Sequence, residues 1–430
     1  MSDSALPGAH SHSSIAFGYI DPRSVVARQP APHSSLVNRL GYIDHRCVEA
    51  SIFLRVIPRH LYVHVPFCAR RCAYCDFAIA VRKVVPVDEY LRALDTELAM
   101  RWNLGRDRWV LDTLYFGGGT PSRLGEAGVS RMLDLVRERA TLAEGAEVTL
   151  EANPEDVSLD AARSWRRAGV TRVSLGVQSF DDAALDWMHR VHDADRAERA
   201  VEELREAGFD NFSIDLIFAL PESVGRSWDR DVERALRLEP PHVSLYGLTL
   251  EEKTPLGRQR RRGEIIEAPE EHYERDFLRA HSAMTSAGLE HYEVSNFGRD
   301  GHRSRHNSSY WTQAPYAAIG PGSHEFIDGV RRWNEPAYSA WVAKLAAGDD
   351  PVAGSERLTP DNTVAETVYL GLRTVDGLET SAGEARHIAP WVDAGWADLS
   401  GGDAQVLRLT PLGWLRLDSI AAALTEVRSR

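Results

Sequence analysis

The chain is short of cysteine, of long apolar runs and of positive charge, and each shortage excludes a class of protein. Four cysteines in 430 residues do not make a disulfide framework. No apolar run approaches the ~18 residues that cross a bilayer, and the first residues lack a basic start followed by an apolar stretch. The expectation is a cytoplasmic protein with reduced thiols and no transmembrane segment, which leaves peripheral contact with a membrane open. With 50 basic against 63 acidic residues the formal charge is -13, which argues against nucleic acid as a partner held by diffuse phosphate contacts. A basic run, Arg258 to Arg262 (RQRRR), has no interleaved aromatic residues and reads as a solvated surface segment.

What cysteine there is, is concentrated. Three of the four lie within eight residues, as Cys68-x3-Cys72-x2-Cys75. Such spacing brings soft ligands to one point, as zinc or an iron-sulfur cluster requires. A disulfide would leave one thiol odd. Structural zinc needs a fourth ligand, which His64 or the distant Cys47 would have to supply, and the usual repeated Cys-x2-Cys or His-x-His pattern is missing. Three thiolates on one loop suit a 4Fe-4S cluster in which one iron has no protein ligand and is open to a small molecule.

The length allows two or three domains, and 43% hydrophobic residues supply a sizeable core. Residues 1–59 are rich in Ser, His, Pro and Arg, without sustained periodicity, and read as a flexible extension. Within it Gly18-Tyr19-Ile20-Asp21 recurs as Gly41-Tyr42-Ile43-Asp44, which reads as a local duplication. From Leu61 the pattern turns regular. Strands are expected at 61–65, 110–116, 147–151, 172–178, 212–217 and 242–248, alternating with helices near 87–101, 129–140, 159–168, 194–207 and 227–238, and a further helix near 270–287. That alternation predicts an α/β fold with a parallel sheet, curled or open.

In parallel barrels, chemistry sits on the loops at the C-terminal strand ends. Here the cysteine loop follows the first strand and Gly117-Gly118-Gly119-Thr120-Pro121-Ser122 the second, while Glu151, Gln178, Asp215 and Tyr246 lie in or close the next four. Polar side chains in apolar strands cost stability unless partnered, so their recurrence at one end points to a site. Glycines there let the backbone approach a ligand closely.

Taken in order, HVPFCARRCAYCDF, YFGGGTPS, LEANPE, RVSLGVQSF, SIDLIFALP and HVSLYGLTLE resemble the coproporphyrinogen dehydrogenase and HemW branch of the radical S-adenosylmethionine (radical SAM) superfamily, from Leu61 to the end of the chain. In that branch the dehydrogenases carry a fourth cysteine two residues after the third cluster cysteine, whereas HemW-like proteins carry phenylalanine; here it is Phe77. His306-Asn307-Ser308-Ser309-Tyr310-Trp311 is similar to the HNxxYW motif of HemW, a heme-binding subgroup, and leads into the glycine-rich YAAIGPGSH and Arg332-Trp333-Asn334.

The resemblance implies a partial (βα)6 radical SAM barrel over residues 60–300, a connecting region over 301–357, and a small α+β winged-helix-like C-terminal domain over 358–430. It implies that Cys68, Cys72 and Cys75 bind a 4Fe-4S cluster. Tyr62, Gly119, Thr120, Pro121, Glu151, Gln178, Arg190 and Asp215 would line the S-adenosylmethionine pocket, with Tyr74 beside it. Alone, Arg190 reads as an exposed helix-end cation. His306, with Tyr310 and Trp311 as rings to cover a macrocycle, is the candidate heme site, and His302 and His324 compete for the ligand role. An electron donor for the cluster is a further implied partner. Two functions follow: a heme chaperone that carries heme as cargo to acceptor proteins, or an oxygen-independent coproporphyrinogen III dehydrogenase in which a 5′-deoxyadenosyl radical abstracts hydrogen from propionate side chains. Phe77 and HNSSYW favour the first. Ala219, Glu222-Ser223 and Ala318 depart from the family pattern in their loops.

Overall fold

The computed structural model describes residues 57–101, 109–401 and 405–429. The expected flexible extension lies outside these residues except for its last three. Of those, Arg59 is an ion-pair partner of Asp112.

Six parallel strands lie side by side in chain order: β1 (His60–Val65), β2 (Trp109–Gly118), β3 (Ala140–Ala152), β4 (Arg172–Gln178), β5 (Phe212–Phe218) and β6 (His242–Gly247). Helices Val87–Arg101, Gly125–Arg139, Leu159–Ala168, Ala194–Glu206 and Trp228–Arg237 alternate with them. β4 and β5 are buried along all seven residues, as strands covered on both faces must be. The helices start and stop on local chemistry. The Ser158 side chain accepts from the Ala161 amide at the start of Leu159–Ala168, and Gly169, at φ +107°, ends it.

The sheet runs beyond six strands. At one edge β8 (Asn296–Gly298) pairs antiparallel with β6, and β7 (Glu290–Glu293) pairs antiparallel with β8. At the other, β9 (Tyr316–Ile319) pairs parallel with β1, followed antiparallel by β10 (His324–Ile327), β11 (Val330–Asn334) and β12 (Val352–Arg357). The order across the twelve strands is β12-β11-β10-β9-β1-β2-β3-β4-β5-β6-β8-β7. β6 does not meet β1, so the barrel is open. The parallel set has seven members rather than the six expected, and residues 301–357 extend the sheet where a connector was expected.

Glu97 fastens that extension. Its carboxylate, fully buried, accepts hydrogen bonds from Arg101 Nε (2.8 Å), Gly320 N (2.9 Å), Asn334 Nδ2 (2.7 Å) and Trp341 Nε1 (2.9 Å). One side chain thereby joins helix Val87–Arg101, the loop after β9, β11 and helix Tyr338–Ala347.

The C-terminal part has its own three-stranded sheet, β13 (Leu378–Thr380), β15 (Gln405–Leu409) and β14 (Ala397–Gly401) in that spatial order, with helices Pro360–Leu372, Ala385–Asp393 and Leu417–Arg428. It is the small α+β unit expected. A buried Glu293–Arg373 ion pair at 2.9 Å and a Trp414 Nε1 bond to the Leu372 carbonyl (3.1 Å) fix its first helix and strand edge.

Candidate functional site

The C-terminal ends of the parallel strands open on one cleft of about 740 Å³, counted out to its mouth. Cys68, Cys72, Cys75, Tyr74, Gly119, Thr120, Glu151, Gln178, Arg190 and Asp215 all line it. Two expected members do not: Pro121 is buried at the start of the turn Pro121–Leu124, and Tyr62 faces a neighbouring cavity. Asn153, Ser174 and Gly176 line the cleft and were not anticipated, although Asn153 stands within the LEANPE motif.

The cysteine loop is closed at its base by pairing of Phe67–Cys68 with Ala80–Val81. It is held from outside by bonds from Ala73 N to the Met188 carbonyl (3.1 Å) and from Leu256 N to the Ala73 carbonyl (3.0 Å). The end of β2 packs flush against its entrance. A Cβ on Gly119 would lie 2.6 Å from the Pro66 carbonyl carbon and oxygen, so only glycine fits there without displacing backbone.

Arg190 is buried, contrary to its appearance in sequence. Its guanidinium donates to Asn153 Oδ1 and the Gly176 carbonyl (both 2.7 Å) and approaches Cys72 Sγ at 3.5 Å, placing a cation beside a thiol. Gln178 has the left-handed φ of +70°, which costs a non-glycine residue about 1–2 kcal/mol. Its Oε1 is buried and has no hydrogen-bond partner among the described residues. A strained residue with an open acceptor in the wall of a cleft suits a ligand that donates.

Glu151 Oε1 accepts from Tyr115 OH (2.8 Å) and Oε2 from Gly118 N (2.9 Å). Burial nonetheless pushes its carboxyl up from 4.5 to about 7, and Asp215 adds to the rise. Between those values the folded chain holds a proton that the unfolded chain has released, so this group's contribution to stability falls as pH rises through the window. Glu151→Gln is expected to flatten the pH dependence of unfolding free energy between pH 4.5 and 7; an unchanged slope in denaturant titrations would show that Glu151 titrates normally.

Asp215 accepts from Ser174 Oγ (3.2 Å) and Ser213 Oγ (3.1 Å). Behind it runs a buried chain: Ser213 Oγ meets His242 Nδ1 (2.8 Å), His242 Nε2 meets Tyr292 OH (2.8 Å), and Tyr292 OH accepts from Ser304 N (3.2 Å). While Asp215 is ionised, Ser213 spends its proton on the carboxylate, so His242 donates through Nδ1 and receives from Tyr292 at Nε2. Every donor then points towards Asp215. Burial, followed by the nearby Arg172 charge, holds His242 well below its usual pKa and keeps it neutral. The far end of the chain, Ser304, caps helix Arg305–Trp311.

That helix carries the candidate heme residues beside a second cavity of about 570 Å³, again counted out to its mouth, lined by Tyr62, His64, Phe77, Tyr115, Glu151, His306, Asn307 and Tyr310 among others. The Glu147 carboxylate accepts from the Arg305 and His306 amides (3.0 and 2.9 Å), tying the start of the helix to β3. His306 stacks on Tyr115 with ring centroids 5.0 Å apart, and both its ring nitrogens are engaged, with Thr113 Oγ1 (2.6 Å) and Tyr310 OH (2.8 Å). Trp311 does not join them; it lies under the Arg373 guanidinium at 4.3 Å. His302 and His324 also lie outside the cavity, the latter stacked on Trp333. Phe77, Gly118 and Glu151 line both cavities.

His64, a candidate fourth zinc ligand, takes no part with the thiols. Its Nε2 donates to the Ala78 carbonyl (2.9 Å), its Nδ1 accepts from Tyr62 OH (3.1 Å), and burial lowers it to about 4. Cys47 lies outside the described residues. Among those residues no three His, Cys, Asp or Glu side chains converge as on a single metal ion. The three half-buried thiols instead fringe a common cleft, which fits a multi-iron cluster whose irons each take a different thiolate. The open acceptor of Gln178 and the glycine wall fit a small polar molecule beside it.

The radical SAM superfamily matches residues 62–235. Curated heme chaperone HemW proteins are similar over most of both chains: 36% identical in Mycobacterium tuberculosis (85% of this chain, 95% of that one) and 33% in Synechocystis (82% and 89%). Coproporphyrinogen III oxidase (HemN) from Escherichia coli, itself a radical SAM enzyme, superposes with a TM-score of 0.73 over 87% of this chain and 92% of its own, at 22% identity, which speaks to the fold alone. A cleft of this construction at the strand ends, and identity of this extent along the whole barrel and the α+β unit, have one reading: the chain belongs to the heme chaperone HemW family of radical SAM proteins.

Proposed function

We propose that this protein is a heme chaperone, binding heme and passing it to acceptor proteins in the cytoplasm. Cys68, Cys72 and Cys75 hold a 4Fe-4S cluster, and the remaining cleft residues hold S-adenosylmethionine against it. Bound there, the pair supplies one-electron reductive chemistry. The protein's own part is positional. Gln178 and Asp215 offer acceptors, Arg190 sets a cation next to Cys72, and Gly119 lets β2 pack flush against the entrance of the cysteine loop.

The observation that carries the chaperone reading is Phe77. It occupies the place of the dehydrogenases' fourth cysteine, and it lines both the cofactor cleft and the cavity of His306 and Tyr310. Heme is proposed to sit at that second cavity. To ligate iron, one ring nitrogen of His306 has to give up its present partner, Thr113 Oγ1 or Tyr310 OH. Trp311 is left out of the heme site.

The test is anaerobic reconstitution followed by two assays on one sample, heme titration by absorbance and coproporphyrinogen turnover. Stable heme binding without turnover is expected; robust turnover without heme binding would make the protein a dehydrogenase. His306→Ala is expected to change the heme spectrum, and an unchanged spectrum moves the ligand elsewhere.

A further inference from the structure

A collar of positive charge and exposed apolar surface surrounds the cysteine loop. Residues 69–84 carry four cations, Arg70, Arg71, Arg82 and Lys83, against the single carboxylate of Asp76, a net +3 in a chain of net charge -13. All four cations are exposed. Between and beside them Val81 is 43% and Val84 84% exposed, the latter the most open large apolar side chain among the described residues. The collar is rigidly placed. Val81 pairs with Cys68, Arg82 N donates to the Cys68 carbonyl (3.0 Å), and Arg123 Nη2 bonds the Arg82 and Lys83 carbonyls (both 3.3 Å). The basic helix Pro255–Arg261, whose RQRRR run looked like idle surface, is bonded to the loop through Leu256 N and the Ala73 carbonyl.

Val81 and Val84 leave apolar surface open to solvent among the cations. They match a transient interface, an apolar centre rimmed by charge that steers the partner. Because the chain as a whole carries a net negative charge, an acidic protein is favoured at basic patches such as this one.

We infer that the collar of Arg70, Arg82, Lys83, Val81 and Val84 is the docking face for a small acidic one-electron carrier protein, of the flavin or iron-sulfur class, that reduces the cluster. The inference rests on the cluster assignment under Proposed function. The step is a single electron: the reduced carrier loses one and the oxidised cluster gains it, with no proton or group transferred. Docking on the cysteine loop's own flank keeps the path short, and a contact steered by charge is salt-sensitive, as weak electron-transfer encounters are.

The experiment uses full-length protein, a reduced acidic flavin carrier as probe, and the double variant Arg82→Glu/Lys83→Glu. Two readouts are taken: association with the carrier by calorimetry at low and high salt, on cluster-free and reconstituted chain, and the rate of cluster reduction by stopped flow. Wild type is expected to bind in both forms, more weakly as salt rises, and the variant to lose about tenfold or more in affinity and rate at low salt. Reduction by dithionite, which needs no docking, stays unchanged in the variant. Equal carrier binding and rates in the two proteins would overturn the inference, as would a variant that loses only its binding to anionic phosphatidylglycerol vesicles, which would make the collar a membrane contact. Val84→Asp provides a second test without charge reversal of the cations, and carrier binding unaltered by it removes the apolar centre. If dithionite itself fails to reduce any cluster in wild type, the cluster assignment fails, and the calorimetric result on cluster-free chain still decides the docking face.

Discussion

Glu97→Ala is expected to destabilise the protein by about 3–5 kcal/mol in denaturant unfolding. The carboxylate is the common acceptor of the Arg101 side chain, the Gly320 amide, Asn334 Nδ2 and Trp341 Nε1. Alanine leaves the Gly320 amide and Trp341 Nε1 as buried donors without an acceptor, and it removes one of the two carboxylates, Glu97 and Glu325, that flank the buried Arg101. Glu97→Gln keeps one acceptor oxygen and so is expected to lose less, about 1–3 kcal/mol. A loss under about 1 kcal/mol for alanine would mean that water replaces the carboxylate and that the β9 to β12 extension does not hang on it. The consequence reaches the candidate site, because β9 is the outer neighbour of β1, the strand that delivers the cysteine loop.

Gly119→Ala is the second large effect. The added carbon would stand 2.6 Å from backbone atoms of Pro66, which cannot rotate away as a flexible side chain would. Either β2 or the entrance of the cysteine loop must shift, at a cost of about 1–3 kcal/mol. Misplacing the wall of the cleft by a fraction of an ångström is expected to weaken S-adenosylmethionine binding by at least about tenfold, which equilibrium dialysis on reconstituted protein measures. Gly145→Ala is the control. It has open space around its Cβ and a φ of +68°, so it pays only backbone strain far from the cleft. Equal binding losses in the two variants would remove the glycine wall from the cofactor site.

The parallel core was legible because buried strands read as apolar runs and the helices carry their own caps; Leu159–Ala168 lies where the pattern placed it. β9 was not, since YAAI is too short to show a period of two and sits among glycines. β3 begins seven residues earlier than its apolar run, at Ala140, where Thr-Leu-Ala-Glu-Gly is half exposed and Gly145 breaks the alternation. The cleft residues were legible as polar interruptions at strand ends. Tyr62 and Trp311 show the limit of such reading: a motif says which residues travel together, and the backbone decides which way each one faces. The departures in the loops have physical meaning. Ala219 holds a φ of +55°, the conformation that favours glycine, and Ala318 packs with Tyr62 and Tyr115 beneath the second cavity.

The partition between the two cavities is one side chain thick. Phe77, Gly118 and Glu151 belong to both, so neither chamber has a volume of its own. Were both proposed ligands bound, they would share the Phe77, Gly118 and Glu151 surfaces, and the affinity of each is expected to depend on the presence of the other.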